Sequence, residues 1–126
     1  MDTVSHSYLR PVERGVRDGE CVVDAALDLI GGKWKGVIVY KLLQTDEPLR
    51  FNGLKRMLGD ITQRMLTKQL RELEDAGLIS RTVYAQVPPR VEYRLTEAGL
   101  ALAPVVAALK TWGEAHLRLT ETVQAA

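Results

Sequence analysis

Ile61-Thr62-Gln63-Arg64-Met65-Leu66-Thr67-Lys68-Gln69-Leu70-Arg71-Glu72-Leu73-Glu74-Asp75-Ala76-Gly77 is the stretch whose reading decides the fold. Leu66, Leu70 and Leu73 recur at helical spacing and form one apolar stripe. At about 100° per residue, Arg64, Thr67, Lys68, Arg71 and Asp75 fall on the other side. Thr62 stands where a side-chain oxygen caps the first free backbone N–H groups. Gly77 stands where the helix should stop, because glycine enters the left-handed conformation at little cost. The outward face opens with Gln63 and Arg64, residue types that read base edges. It continues with Lys68 and Arg71, which suit phosphates. In isolation such a face would be no more than a solvated charged surface, so its meaning depends on its neighbours.

On its N-terminal side, Phe51, Leu54 and Leu58 are spaced for a short helix, with Lys55 and Arg56 off the stripe. Gly59-Asp60-Ile61 is a tight turn. Two helices joined by a short glycine-containing turn form the helix-turn-helix pattern, whose second helix enters the major groove. On the C-terminal side the period changes to two. Arg81–Ala85 and Val91–Leu95 alternate and contain strand formers. Val87-Pro88-Pro89-Arg90 lies between them, and two prolines belong at a hairpin tip rather than within a ladder. A hairpin at this place is a wing. Tyr84 and Tyr93 are candidates to pair across it, or one of them to bond a phosphate, with packing the default.

Further out, Val22, Val23, Ala26, Leu27 and Ile30 make an apolar helical stripe ended by Gly31-Gly32. A second helix is expected from about Lys33 to Gln44, with Trp34, Val37, Ile38 and Leu42 inward, followed by a loop at Thr45–Pro48. Thr96 caps a last helical region, in which Leu102, Val105, Val106, Leu109, Trp112 and Leu119 keep helical spacing. Pro104 should kink or restart that helix near Ala103. Residues 1–20 are polar and broken by Pro11, Gly15 and Gly19, so they read as an arm that orders only against a partner. The expected organisation is an α+β, mainly α, winged helix-turn-helix: a three-helix core with a two-stranded wing over 21–95. The arm is 1–20, and a C-terminal dimerisation helix occupies 96–126, all within one compact unit.

The chain has 126 residues, enough for one core. Its 46% hydrophobic and 26% charged content excludes disordered and fibrous classes. A net charge of +1 gives no overall sign of a nucleic-acid partner, so the signal must be local. Between residues 50 and 72 it is: Arg50, Lys55, Arg56, Arg64, Lys68 and Arg71 oppose only Asp60 and Glu72. No signal peptide or membrane-spanning stretch is evident, and a cytoplasmic location with no membrane partner is expected. The single cysteine, Cys21, excludes an internal disulfide. His6, His116 and Cys21 have no metal-ligand spacing, so neither metal nor cofactor is expected.

These motifs together resemble the HxlR-type winged helix-turn-helix regulators of bacteria, relatives of the MarR-type regulators. The resemblance runs from Cys21 to about Gly113. It is carried by Leu27–Trp34, Arg50–Leu54, Ile61–Leu66, Leu70–Glu74, Arg81–Tyr84, Val87–Tyr93 and Leu95-Thr96. It implies a non-enzymatic homodimer on palindromic promoter DNA, repressing or activating transcription. It also implies that the helix from Thr62 reads the major groove while the hairpin around Pro88-Pro89-Arg90 touches flanking DNA.

The DNA-contacting set is therefore Thr62, Gln63, Arg64, Thr67, Lys68 and Arg71, with Arg90 on the wing and Arg50 and Lys55 toward the backbone. Val22, Val23, Ala26, Val105, Val106, Leu109 and Trp112 are the expected dimer contacts, since the terminal helices carry more apolar surface than one small core needs. In many family members the N-terminal cysteine precedes a proline, and in some it senses oxidants or electrophiles. Here Val22 follows Cys21. Glu20 and Asp24 oppose ionisation of the thiol and helix-start amides favour it. Two readings of Cys21 stay open, a redox or electrophile sensor and a small buried hydrophobe. The effector is then an oxidant or a small-molecule ligand. A winged-helix module that binds protein, and a thiol enzyme using Cys21, are the competing classes. The clustered cations argue against the first, and the lack of a partner histidine or second cysteine near Cys21 in sequence against the second.

Overall fold

The computed structural model describes residues 12 and 14–118, and the backbone of Val4–Ser5. In chain order the elements are β1 (Val4–Ser5), α1 (Val22–Ile30), α2 (Lys35–Leu43), α3 (Phe51–Leu58), α4 (Gln63–Asp75), β2 (Ile79–Tyr84), β3 (Arg90–Leu95), α5 (Glu97–Leu100) and α6 (Ala103–His116). The core lies where α2, α3 and α4 meet the start of β2. Ile38, Val39, Leu42, Leu54, Leu58, Ile61, Leu66, Leu70, Leu73, Leu78 and Ile79 fill it. The leucine stripe of α4 is thus buried as its spacing requires, with Leu66 and Leu73 at 0% exposure.

Both ends of α4 are closed by the expected residues. The Thr62 hydroxyl accepts the Met65 amide at 3.0 Å. At the other end Gly77 takes φ +83°. Its amide donates to the Glu74 carbonyl and the Leu78 amide to that of Leu73, the paired bonds of a glycine-ended helix. The turn from α3 is made by Gly59 at φ +78°, while Ile61 is buried beneath it. These local features set the angle at which α4 leaves the core.

The hairpin pairs Ile79 with Leu95 through to Tyr84 with Arg90. Strand alternation puts Arg81, Val83, Val91 and Tyr93 on one face and Thr82, Tyr84, Arg90 and Glu92 on the other. Tyr84 and Tyr93 therefore do not pair across the hairpin: Tyr84 faces Arg90, and Tyr93 faces Arg81. The two-stranded wing is as expected, and its sheet is extended by the arm. Val4 and Ser5 pair antiparallel with Tyr84 and Val83 and make a third, outer strand. A strand edge offers unpaired N–H and C=O groups, and Val4–Ser5 take up part of that edge. Leu49 adds an isolated bridge to Tyr93 on the opposite edge.

Two apolar assignments also change. Val37 is 40% exposed, and Val39 holds the core position instead. On α1 the inward side is Ala25, Leu29 and Ile30, while Val22, Val23 and Leu27 are exposed. Pro104 starts α6 after a short α5, in agreement with its expected role as a restart. Leu119 lies outside the described residues.

Candidate nucleic-acid interface

The outer side of α4 carries Gln63, Arg64, Lys68 and Arg71 exposed to solvent, with Thr67 half-buried between them. Gln63, Arg64, Thr67, Lys68, Arg71 and Glu72 line one open concavity of about 680 Å³. The Thr67 hydroxyl donates to the Gln63 carbonyl at 2.9 Å, which stiffens the first turn and leaves the oxygen lone pairs outward. Glu72 is the only carboxylate in this lining. Lys35, at the start of α2, donates to it across 2.5 Å. That bond, more than the charge itself, holds the Glu72 carboxyl below its ordinary pKa, so the group is ionised and occupied. The pair ties α4 to α2 and offsets the one negative charge on a basic face.

Arg50 stands exposed at the N-cap of α3. Lys55, half-buried, and Arg56, exposed, lie in its last turn, where cations suit the helix dipole. Thr62 is exposed and already committed to its cap. Arg90 is placed differently from the α4 set. Its guanidinium stacks on the Tyr84 ring, 4.0 Å from the centroid, and its Nε lies 3.6 Å from the Glu92 carboxylate. Cross-strand pairing brings these groups together.

Arg81, which the sequence reading did not single out for DNA, and Tyr93, which it gave as packing by default or a phosphate contact, join this region. Arg81 reaches Glu74 at 3.6 Å from the first strand of the wing, and Tyr93 stands opposite Arg81. With Phe51, Thr67, Leu70, Arg71 and Glu74 they line a cavity of about 260 Å³ between α3, α4 and the sheet.

Away from this face, Cys21 is the N-cap of α1 and is exposed in the single chain. The backbone N–H of Asp24, and then that of Val23, hold its pKa below the ordinary thiol value. Glu20 does not confront the sulfur as an unpaired charge, because Arg14 donates to it at 2.8 Å. Arg14 also reaches Asp28 at 3.3 Å. Around Cys21, Val22 and Val23 are exposed, as is Ala26 one turn on. On α6, Val105, Leu109 and Trp112 are exposed too, Trp112 at 58%, whereas Val106 packs partly on the chain's own core. Among the described residues no group of His, Cys, Asp and Glu is arranged to hold a metal. Among the described residues no helix is long and apolar enough to cross a membrane.

The profile of the HxlR-like helix-turn-helix family matches residues 29–121. The chain belongs to that family. Relatives of this kind are named as HTH-type transcriptional regulators. YdeP of Bacillus subtilis, an HTH-type transcriptional regulator, is 52% identical over 106 residues, covering 84% of this chain and 81% of its own. Among solved structures, the redox regulator HypR in its oxidised form superposes with TM-score 0.71 at 52% identity, over 79% of this chain and 100% of that one. The reduced form of the transcriptional regulator YodB from B. subtilis superposes with TM-score 0.68 at 33% identity, over 78% and 95%. The HxlR-like fold accounts for the helix-turn-helix of α3 and α4 and for the wing beside it.

Proposed function

We propose that this HxlR-like chain is a cytoplasmic, homodimeric regulator of transcription that binds palindromic promoter DNA and is switched through Cys21. The observation that carries the DNA-binding reading is the row Gln63, Arg64, Lys68 and Arg71, outward on a helix whose other side is locked into the core. Gln63 and Arg64 lie in the first turn, where helices of this kind meet base edges. Lys68 and Arg71 follow at the positions for phosphate. Arg50 and Lys55 on α3 extend the positive surface toward the DNA backbone, and Arg90 contributes from the wing.

The exposed apolar residues of α1 and α6 support a two-fold dimer. Val22, Val23, Ala26, Val105, Leu109 and Trp112 would be covered in it, while Val106 adds only its outer edge. Two recognition helices about 34 Å apart match successive major grooves. The exposed, acid-shifted Cys21 next to this apolar surface supports thiol chemistry as the signal, and HypR is itself a redox regulator. The test is a gel shift on the protein's own promoter across a salt series, with sedimentation of the free protein. Specific, salt-dependent retardation by a dimer is expected. A monomer that still binds its operator at micromolar concentration would remove the dimer, and absence of any DNA binding would remove the whole reading.

A further inference from the structure

The cavity between α3, α4 and the wing has a charge arrangement that the outer face of α4 does not explain. Arg71 enters it from the recognition helix, Arg81 from β2 and Tyr93 from β3, with Glu74 as the one carboxylate among the described residues of its lining. Among the described residues, its lining sets two cations against one carboxylate. Arg71 makes no ion pair among the described residues. Arg81 forms an ion pair with Glu74 at 3.6 Å. Tyr93 is fixed by its backbone on both sides: it pairs with Arg81 in the hairpin, and its N–H and C=O bond Leu49 at 2.7 and 2.9 Å. Arg50, at the head of α3, follows Leu49 directly. Burial raises the Tyr93 pKa, so the hydroxyl keeps its proton and remains a donor.

We propose that this cavity seats one phosphate of the DNA backbone, held by Arg71, Arg81 and the Tyr93 hydroxyl. The proposal rests on the DNA-binding reading above and assigns Arg81 and Tyr93 a part in it. At about 260 Å³ the site is large enough for a phosphate group and too small for a base pair with its sugars. Its donors come from the recognition helix and from both wing strands. A phosphate there fixes the angle between helix and wing and sets how deeply α4 enters the groove. It carries no sequence information, since every nucleotide offers the same oxyanion.

The experiment compares wild type with Arg81→Gln, Tyr93→Phe and Glu74→Gln on operator and on unrelated duplex DNA, over a salt series. Arg81→Gln removes a charge from the phosphate. Its affinity should fall about tenfold on both DNAs, and the slope of log affinity against log salt should drop by about 0.9. Tyr93→Phe removes a neutral donor and keeps the packed ring. It should lose affinity on both DNAs with the salt slope unchanged. Glu74→Gln breaks the same ion pair as Arg81→Gln yet removes a negative charge, so it should bind at least as tightly as wild type. Wild-type affinity and slope in both Arg81→Gln and Tyr93→Phe, with wild type itself binding, overturn the phosphate seat alone. A loss in Glu74→Gln equal to that in Arg81→Gln also overturns it, because the ion pair would then matter only for structure. Failure of wild type to bind any DNA overturns the DNA-binding reading together with this one.

Discussion

The Thr96 hydroxyl donates to the Gly77 carbonyl at 2.6 Å, joining the start of α5 to the end of the recognition helix. The same oxygen accepts the Gly99 amide at 3.1 Å. Both bonds are buried, and a Cβ on Gly99 would come within 2.1 Å of the Leu78 carbonyl oxygen. The junction therefore holds the end of α4, the first residues of β2 and the approach to α6 in one piece.

Thr96→Val keeps the shape and deletes both bonds. It leaves a buried carbonyl and a buried amide without partners, at a cost of about 1–3 kcal/mol for a lost buried partner. Urea denaturation should show that loss, and Thr96→Ser should recover most of it. Equal stability of Thr96→Val and wild type would mean that water replaces the hydroxyl.

Glu20 yields a prediction in pH. Its pKa is lowered from 4.5 to about 2, first by the Arg14 hydrogen bond and then by the Arg17 amide. A carboxyl with a depressed folded-state pKa stabilises fully above its unfolded value and loses that contribution as pH falls through the folded one. The contacts of Glu20 should thus hold above pH 4.5 and fail progressively toward pH 2. Side-chain carboxyl NMR should find Glu20 titrating well below the other glutamates. In Arg14→Gln its titration should return toward 4.5. An ordinary Glu20 titration in wild type would show that the Arg14 contact does not persist in solution.

Arg64 stands exposed in the first turn of α4, in the lining of the open basic concavity. If it reads a base edge, Arg64→Ala should weaken operator binding by about 1–3 kcal/mol and relax preference at one base position. If it meets only phosphate, affinity for operator and unrelated DNA should fall in parallel and specificity should survive. Unchanged affinity for both would take Arg64 out of the interface.

The recognition helix was legible because its leucine spacing, capping threonine and closing glycine all gave the same answer. The positions that were not legible share a physical cause. In α2, Val37, Ile38, Val39, Leu42 and Leu43 are apolar nearly all round, so periodicity alone could not choose Val39 over Val37 for the core. The arm strand is two residues long and carries no alternation to read. Arg81 and Tyr93 meet only through the hairpin register, which the loop around two prolines left open. Cys21 posed a contest of local charges. The amides of Asp24 and Val23 decide it in favour of the thiolate, while the Glu20 carboxylate is taken up by Arg14.

That balance makes Cys21 the decisive test of the switch. The thiol is exposed, its pKa is lowered by the Asp24 and Val23 amides, and Val22 and Val23 beside it belong to the apolar surface proposed for the dimer. A lowered pKa raises the thiolate fraction at neutral pH, and the thiolate is the form that reacts with peroxide, diamide or a quinone. The pH profile of Cys21 alkylation should therefore have its midpoint below the ordinary thiol value of 9.0. With one cysteine in the chain, a protein disulfide must join two subunits, and a sulfenic acid or an adduct would instead put a polar or bulky group at the edge of the interface. Either product changes how the subunits meet, and so the spacing of the two recognition helices, without touching DNA. A shift of a few kcal/mol between competent and incompetent states is enough for a large change in occupancy. Operator binding by wild type should fall after diamide or peroxide and return on reduction with dithiothreitol, while Cys21→Ser should bind throughout. A non-reducing gel of the treated protein separates an intersubunit disulfide, at twice the chain mass, from a monomeric adduct. Should wild type and Cys21→Ser respond alike, the thiol is not the sensor, and the effector acts elsewhere, the space between α1 and α6 being the next place to search.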